Sequence, residues 1–169
     1  MSANSTSQSE CPHVCPHQFA FMLDNCIRKL FQRPGKILGE YLQEGATAID
    51  VGCGPGFFAI DMAKMVGPHG KVIAADLQPK MLLQVAKKAA KHGVADRVQT
   101  HACQPDRIGI DQQADFILAY YMVHETPSSK EFFEEMQSVL KPSGKLLVVE
   151  PRMHVKQAAF DAMVDEALA

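Results

Sequence analysis

The chain has 169 residues, 47% of them apolar and 21% charged, with a formal net charge of −2 at pH 7. That size and balance suit one soluble globular domain, and the near-neutral charge excludes the basic footprint of a nucleic-acid binder. No apolar run nears the ~20 residues of a membrane span, the Ser-rich start Met1 to Glu10 lacks the blocks of a secretory signal, and five cysteines without a leader read as free thiols of a cytoplasmic protein.

Residues 1–18 read as a flexible tail carrying Cys11, His13, Cys15 and His17 at alternating positions. On an extended segment these four share one face, and they are donor types that zinc accepts. Structural zinc motifs use two ligand pairs separated by a longer loop. The preferred reading is therefore a proline-stiffened lead-in, and no metal is assigned. Residues 19–45 read as an N-terminal helical segment. Phe19 to Phe31 has helical apolar spacing, Pro34-Gly35 interrupts it, Lys36 to Leu42 makes a second helical piece, and Gly45 ends it. Phe19, Phe21, Met22 and Phe31 offer an apolar face that closes over a ligand or packs on a sheet.

From residue 46 to 169, strands and helices alternate. Strands are expected at 46–51, 71–75, 97–102, 114–120 and 145–149. Helices are expected at 56–66, from Pro79 to His92, at 128–140 and from Val155 onward. Glycine or proline turns separate them at Gly67 to Gly70, Gly93 and Pro142-Ser-Gly144. This order predicts an α/β fold, a doubly wound and mostly parallel sheet of five strands with helices on both faces.

The most informative stretch is Asp50-Val-Gly-Cys-Gly-Pro-Gly56, where a strand breaks into a glycine turn and then a helix. Gly52, Gly54 and Gly56 can take positive φ and let a ligand lie on bare backbone. A dinucleotide fingerprint is G-x-G-x-x-G, whereas this turn is G-x-G-x-G. Asp50 at the strand end repels a pyrophosphate but suits a cationic ligand.

That string closely resembles motif I of the class I S-adenosylmethionine-dependent methyltransferases. The order of motifs over residues 46–151 resembles their small-molecule, quinone-biosynthesis-like branch. The resemblance implies a Rossmann-like sheet, an N-terminal helical lid over the cofactor at residues 19–45, S-adenosyl-L-methionine as cofactor and S-adenosylhomocysteine as product. It implies that Asp50, Gly52, Cys53, Gly54 and Gly56 line the cofactor. Asp76, twenty positions after Gly56, would take the ribose hydroxyls, with Leu77 and Met81 beside the adenine. Strand 3 departs from the family's Gly-Asp-Ala. Cys103-Gln104-Pro105 stands there, so Gln104 would accept from the adenine amino group, or Asp106 with a small shift, while Pro105 has no N–H to give. Tyr120 ends strand 4 and is counted with the cofactor-lining residues, and Tyr121, His124 and Glu125 follow it, all at a carboxyl end where such folds hold ligands. His124 and Tyr121 are the catalytic candidates. A general base and a packing histidine are both open for His124.

The family's sheet carries a closing antiparallel hairpin, which is expected to be missing here. Strand 145–149 would then be an exposed edge. The expectation is that this edge self-associates or that the final helix, apolar at Val155, Ala159, Phe160, Met163, Val164 and Leu168, covers it. The functional expectation is methyl transfer to a small-molecule acceptor, with the acceptor atom (O, N, C, S or As) open. Cys11, Cys15, Cys26, Cys53 and Cys103 keep a thiol-held arsenite acceptor in view. The alternatives are a non-catalytic cofactor-binding module and, more weakly, a dinucleotide-dependent oxidoreductase.

Overall fold

The computed structural model describes residues 33–169. The 1–18 tail with Cys11, His13, Cys15 and His17, and the 19–31 helix, lie outside the described residues. The described chain runs α1 (Pro34–Leu38), β1 (Thr47–Val51), α2 (Ala59–Met65), β2 (Lys71–Asp76), α3 (Pro79–Lys91), β3 (Val98–Ala102), β4 (Ala114–Tyr120), a 3-10 turn (Val123–Glu125), α4 (Ser129–Val139), β5 (Leu140–Val149) and α5 (Gln157–Leu168). The five strands form one sheet in the order β3-β2-β1-β4-β5, and every pairing is parallel. Among the described residues no helix is long and apolar enough to cross a membrane.

The central strands are apolar on both faces, as strands covered on both sides must be. Ala48 and Phe116 point to one face, where α2 and α3 pack through Met62, Ala63, Val66, Leu82 and Val85. Ile49, Val51, Ile117 and Ala119 point to the other, where α4 packs through Phe132, Phe133, Met136 and Val139. This confirms the α/β, doubly wound sheet with helices on both faces. The strand order reverses between β1 and β4, so the connections leaving their carboxyl ends run in opposite directions and leave a crevice between them.

Several boundaries differ from expectation, each for a local reason. The second helical piece runs Pro34–Leu38 rather than Lys36 to Leu42, with Pro34 and its fixed φ at the first turn where no N–H is needed. The helix stops at Leu38. Leu38 and Leu42 are buried against the α2 face, and Gly45, at φ +81°, turns the chain into β1 with its N–H donating to the Val66 carbonyl at 2.7 Å. Helix α2 starts at Ala59 rather than 56, because Gly54 and Gly56 have φ of +52° and +85° and cannot be helical.

The expected turn at Pro142-Ser-Gly144 is instead a bulge within β5, where Ala114 pairs Leu140 but Phe116 pairs Lys145. Lys141 anchors it by donating to both carboxylate oxygens of Asp115 at 2.8 Å. Gly144 lies where a Cβ would meet Leu140 Cγ at 2.9 Å and the Ala114 carbonyl at 3.0 Å. The final helix packs on α4, with Met163 buried in the same cluster as Phe132 and Met136, against which Leu146 and Val148 of β5 also pack. No β5 residue is fully buried.

Candidate cofactor and acceptor site

A cavity of about 590 Å³ opens at the carboxyl ends of β1, β2 and β4. Asp50, Gly52, Cys53, Gly54, Asp76, Leu77, Met81, Gln104 and Tyr120 all line it, as do Tyr121, His124, Glu125 and Asp106. Gly56 is set back from it. Its Cβ position meets Val85 Cγ2 at 3.1 Å, so this glycine lets α3 approach the turn rather than a ligand.

The glycine turn is locked onto β2. The Cys53 N–H donates to the Ala75 carbonyl at 3.0 Å, and the Gly54 N–H donates to Asp76 Oδ2 at 2.8 Å. Asp76 Oδ1 accepts from the Gln78 N–H, also at 2.8 Å. A Cβ on Gly54 would meet nothing within 4 Å, so this stretch of backbone lies bare toward the cavity. Asp76 is 9% exposed, and burial raises its pKa against the lowering effect of the two N–H groups. Each carboxylate oxygen keeps a second acceptor site. Hydroxyl donors from a ligand would complete that demand. Asp50 lies 2% exposed in the cavity wall, near the end of β1 just before the glycine turn.

Two thiols share this wall. Burial pushes Cys53 well above the usual thiol range, with Asp50 and Asp76 adding to the effect. Burial also raises Cys103, to about 12, with help from Asp76 and Glu135. Both therefore remain neutral thiols at pH 7, which suits packing and not nucleophilic attack.

The chain between β3 and β4 has no helix. Gln104 and Arg107 exchange backbone hydrogen bonds of 2.8 and 3.3 Å around Pro105-Asp106. Glu135 reaches from α4 and accepts from the N–H groups of Ile108 (2.9 Å) and Gly109 (2.6 Å). His101 Nε2 lies 2.8 Å from the Ile108 carbonyl. The loop carrying Gln104 is thus clamped against the cavity. Gln104 itself is exposed.

Aromatic rings also line the cavity. Phe58 and Tyr120 have ring centroids 4.5 Å apart, and Tyr120 and Tyr121 are 4.3 Å apart. Tyr121 has φ +60°, an uncommon backbone for a non-glycine residue. Its N–H donates to the Val149 carbonyl at 2.8 Å. That turn brings His124 into the cavity wall. His124 Nδ1 lies 2.5 Å from Glu150 Oε2, and Glu150 Oε1 accepts from the N–H groups of Val123 (2.8 Å) and His124 (3.3 Å). The Glu150 side chain is 1% exposed and that of His124 is 23% exposed. The His154 ring stands edge-on to His124 at 5.8 Å.

Sequence reasoning missed Glu150, Glu135 and Arg107. Glu150 had a signal, since it directly follows an apolar strand, as Asp76 ends one. Glu135 and Arg107 had none.

A family described as a methyltransferase domain matches residues 42–168. The chain is similar to a ubiquinone/menaquinone biosynthesis C-methyltransferase of Hahella chejuensis, at 28% identity over 75% of this chain and 53% of that protein. It is similar to a demethylmenaquinone methyltransferase of Lactobacillus johnsonii, at 32% identity over 75% of this chain and 50% of that one. The chain thus spans about half the length of these curated relatives. Among solved structures, it is similar to a SAM-dependent methyltransferase from Aquifex aeolicus, with TM-score 0.83 and 29% identity over 91% of this chain and 88% of that chain.

Proposed function

The chain belongs to the methyltransferase-domain family, and from that premise we propose that it binds S-adenosyl-L-methionine at the carboxyl ends of β1 and β2 and transfers its methyl group to a small-molecule acceptor. The observation that carries this reading is the pairing of Gly54 with Asp76. Bare backbone at Gly54 lies beside a buried carboxylate whose oxygens already hold two N–H groups and keep room for two hydroxyl donors.

Asp76 is assigned the ribose hydroxyls. Leu77 and Met81 flank the adenine, and the loop at Gln104 borders it. Gly52, Cys53 and Gly54 carry the amino-acid end, with Asp50 supplying negative charge near a cationic ligand. The bound cofactor supplies an activated methyl group on a sulfonium. The protein's share of the work is to bind, to exclude water and to align the acceptor. Phe58, Tyr120 and Tyr121 form the wall on which a flat acceptor would lie. Two relatives bear names from quinone biosynthesis, which supports an aromatic acceptor. Cys53 and Cys103 are free thiols, which suits a reducing, cytoplasmic setting.

The test is a methyl-transfer screen with labelled cofactor over phenols, hydroquinones, thiols and arsenite. Turnover on an acceptor, lost in Asp76→Ala, is the expected outcome. Cofactor binding without transfer to any of them would point to a binding module instead.

A further inference from the structure

We propose that His124 and Glu150 form a base dyad, with His124 Nε2 taking the proton from an acceptor hydroxyl and Glu150 acting as the positioning residue. The inference rests on the methyltransferase reading and narrows its acceptor to a phenol or hydroquinone, a nucleophile that must lose a proton.

The hydrogen-bond pattern fixes where the protons are. Glu150 Oε1 accepts from two backbone N–H groups, and Oε2 lies 2.5 Å from His124 Nδ1. With Glu150 ionised, its oxygens can only accept, so Nδ1 carries the hydrogen. In the neutral ring, Nε2 then keeps its lone pair. It is the ring nitrogen left to address the cavity that His124 lines. The carboxylate is 1% exposed, and its two backbone donors hold it in one orientation. The histidine belongs to the 3-10 turn Val123–Glu125, whose position follows from the left-handed backbone at Tyr121 and its bond to the end of β5. A packing histidine needs none of this. It needs neither a buried carboxylate behind it nor a face on the cavity.

The step balances without any further reagent. The acceptor O–H proton passes to Nε2, and an oxygen lone pair forms the new bond to carbon. The methyl–sulfur bond breaks with its electron pair going to sulfur. The imidazolium formed is stabilised by Glu150.

The variant Glu150→Gln tests the dyad without emptying the site. Two backbone N–H groups demand the amide oxygen at the Oε1 position, so the amide NH₂ must face Nδ1. The ring then has to accept there, and its hydrogen moves to Nε2, which closes the lone pair to the cavity. Nitrogen-15 NMR of the histidine rings reads this directly. The wild type should show His124 protonated on Nδ1 and Glu150→Gln should show Nε2. Transfer to catechol and 1,4-naphthohydroquinone should fall about 100-fold or more in Glu150→Gln and in His124→Gln, chiefly in kcat, with S-adenosylhomocysteine affinity unchanged.

An Nε2–H ring in the wild type would overturn the dyad. So would wild-type turnover in either variant. Transfer to thiols or arsenite but to neither hydroxyl acceptor would overturn the acceptor class. Failure of the wild type to bind S-adenosylhomocysteine strikes instead at the methyltransferase reading, and calorimetry records it separately.

Discussion

Asp76 holds one backbone N–H group on each carboxylate oxygen, and the proposed ribose contact would use the acceptor sites that remain. Gly54 and Gln78 take one hydrogen bond each, yet burial still raises its pKa. An acid whose folded pKa lies above its unfolded value favours the folded state more as pH falls through the folded pKa, so ionised Asp76 is a burden at neutral pH. On the proposed assignment, ribose hydroxyls donating to the carboxylate would offset that burden and would need it ionised. S-adenosylhomocysteine affinity should therefore be flat near pH 7. On acidification it should fall by up to about tenfold per pH unit, starting at a higher pH than an ordinary aspartate near 3.9 would give. Calorimetric titrations across this range, with Asp76→Asn as the flat and weak comparison, check it. Affinity in the wild type that holds down to pH 4 would contradict the assignment.

The loop after β3 shows what an element needs when it has no ladder of its own. Its N–H groups at Ile108 and Gly109 go to Glu135, 26 or more positions away. Glu135→Ala should cost about 1–3 kcal/mol, the range for losing bonds to a charged acceptor. It should also speed hydrogen exchange at 107–109 more than in β1 or β4. Equal protection of the loop in both proteins would show that Glu135 is not its anchor. The sequence announced that something unusual stood at Cys103-Gln-Pro but not how it was held, because the anchor is distant in the chain. The strands β1, β2 and β4 were legible because they are apolar runs bounded by Gly, Pro or Asp. The β5 bulge was not. Pro142, Ser143 and Gly144 are turn formers, and what keeps them in the strand is Lys141 reaching Asp115. Ser128 was legible as the start of α4, and its Oγ accepts from the Glu131 N–H at 3.2 Å.

On the scale of the molecule, the sheet order does the assembling. Asp50, Asp76, His124 and Glu150 come from or follow β1, β2, β4 and β5, and the order β3-β2-β1-β4-β5 sets all four at one end of the sheet. A carboxylate at a strand's end can be read from the sequence, as Asp50 and Asp76 were. That His124 and Glu150 meet follows only from β4 lying beside β5. The most direct measurement is a calorimetric titration of S-adenosylhomocysteine into the wild type and Asp76→Ala. The wild type should bind with about one site per chain and micromolar affinity, and Asp76→Ala should bind at least tenfold more weakly, about 1.4 kcal/mol, at an unchanged fold. A folded wild type that takes up no ligand at high micromolar concentration, or an Asp76→Ala variant that binds as tightly, would contradict the central claim.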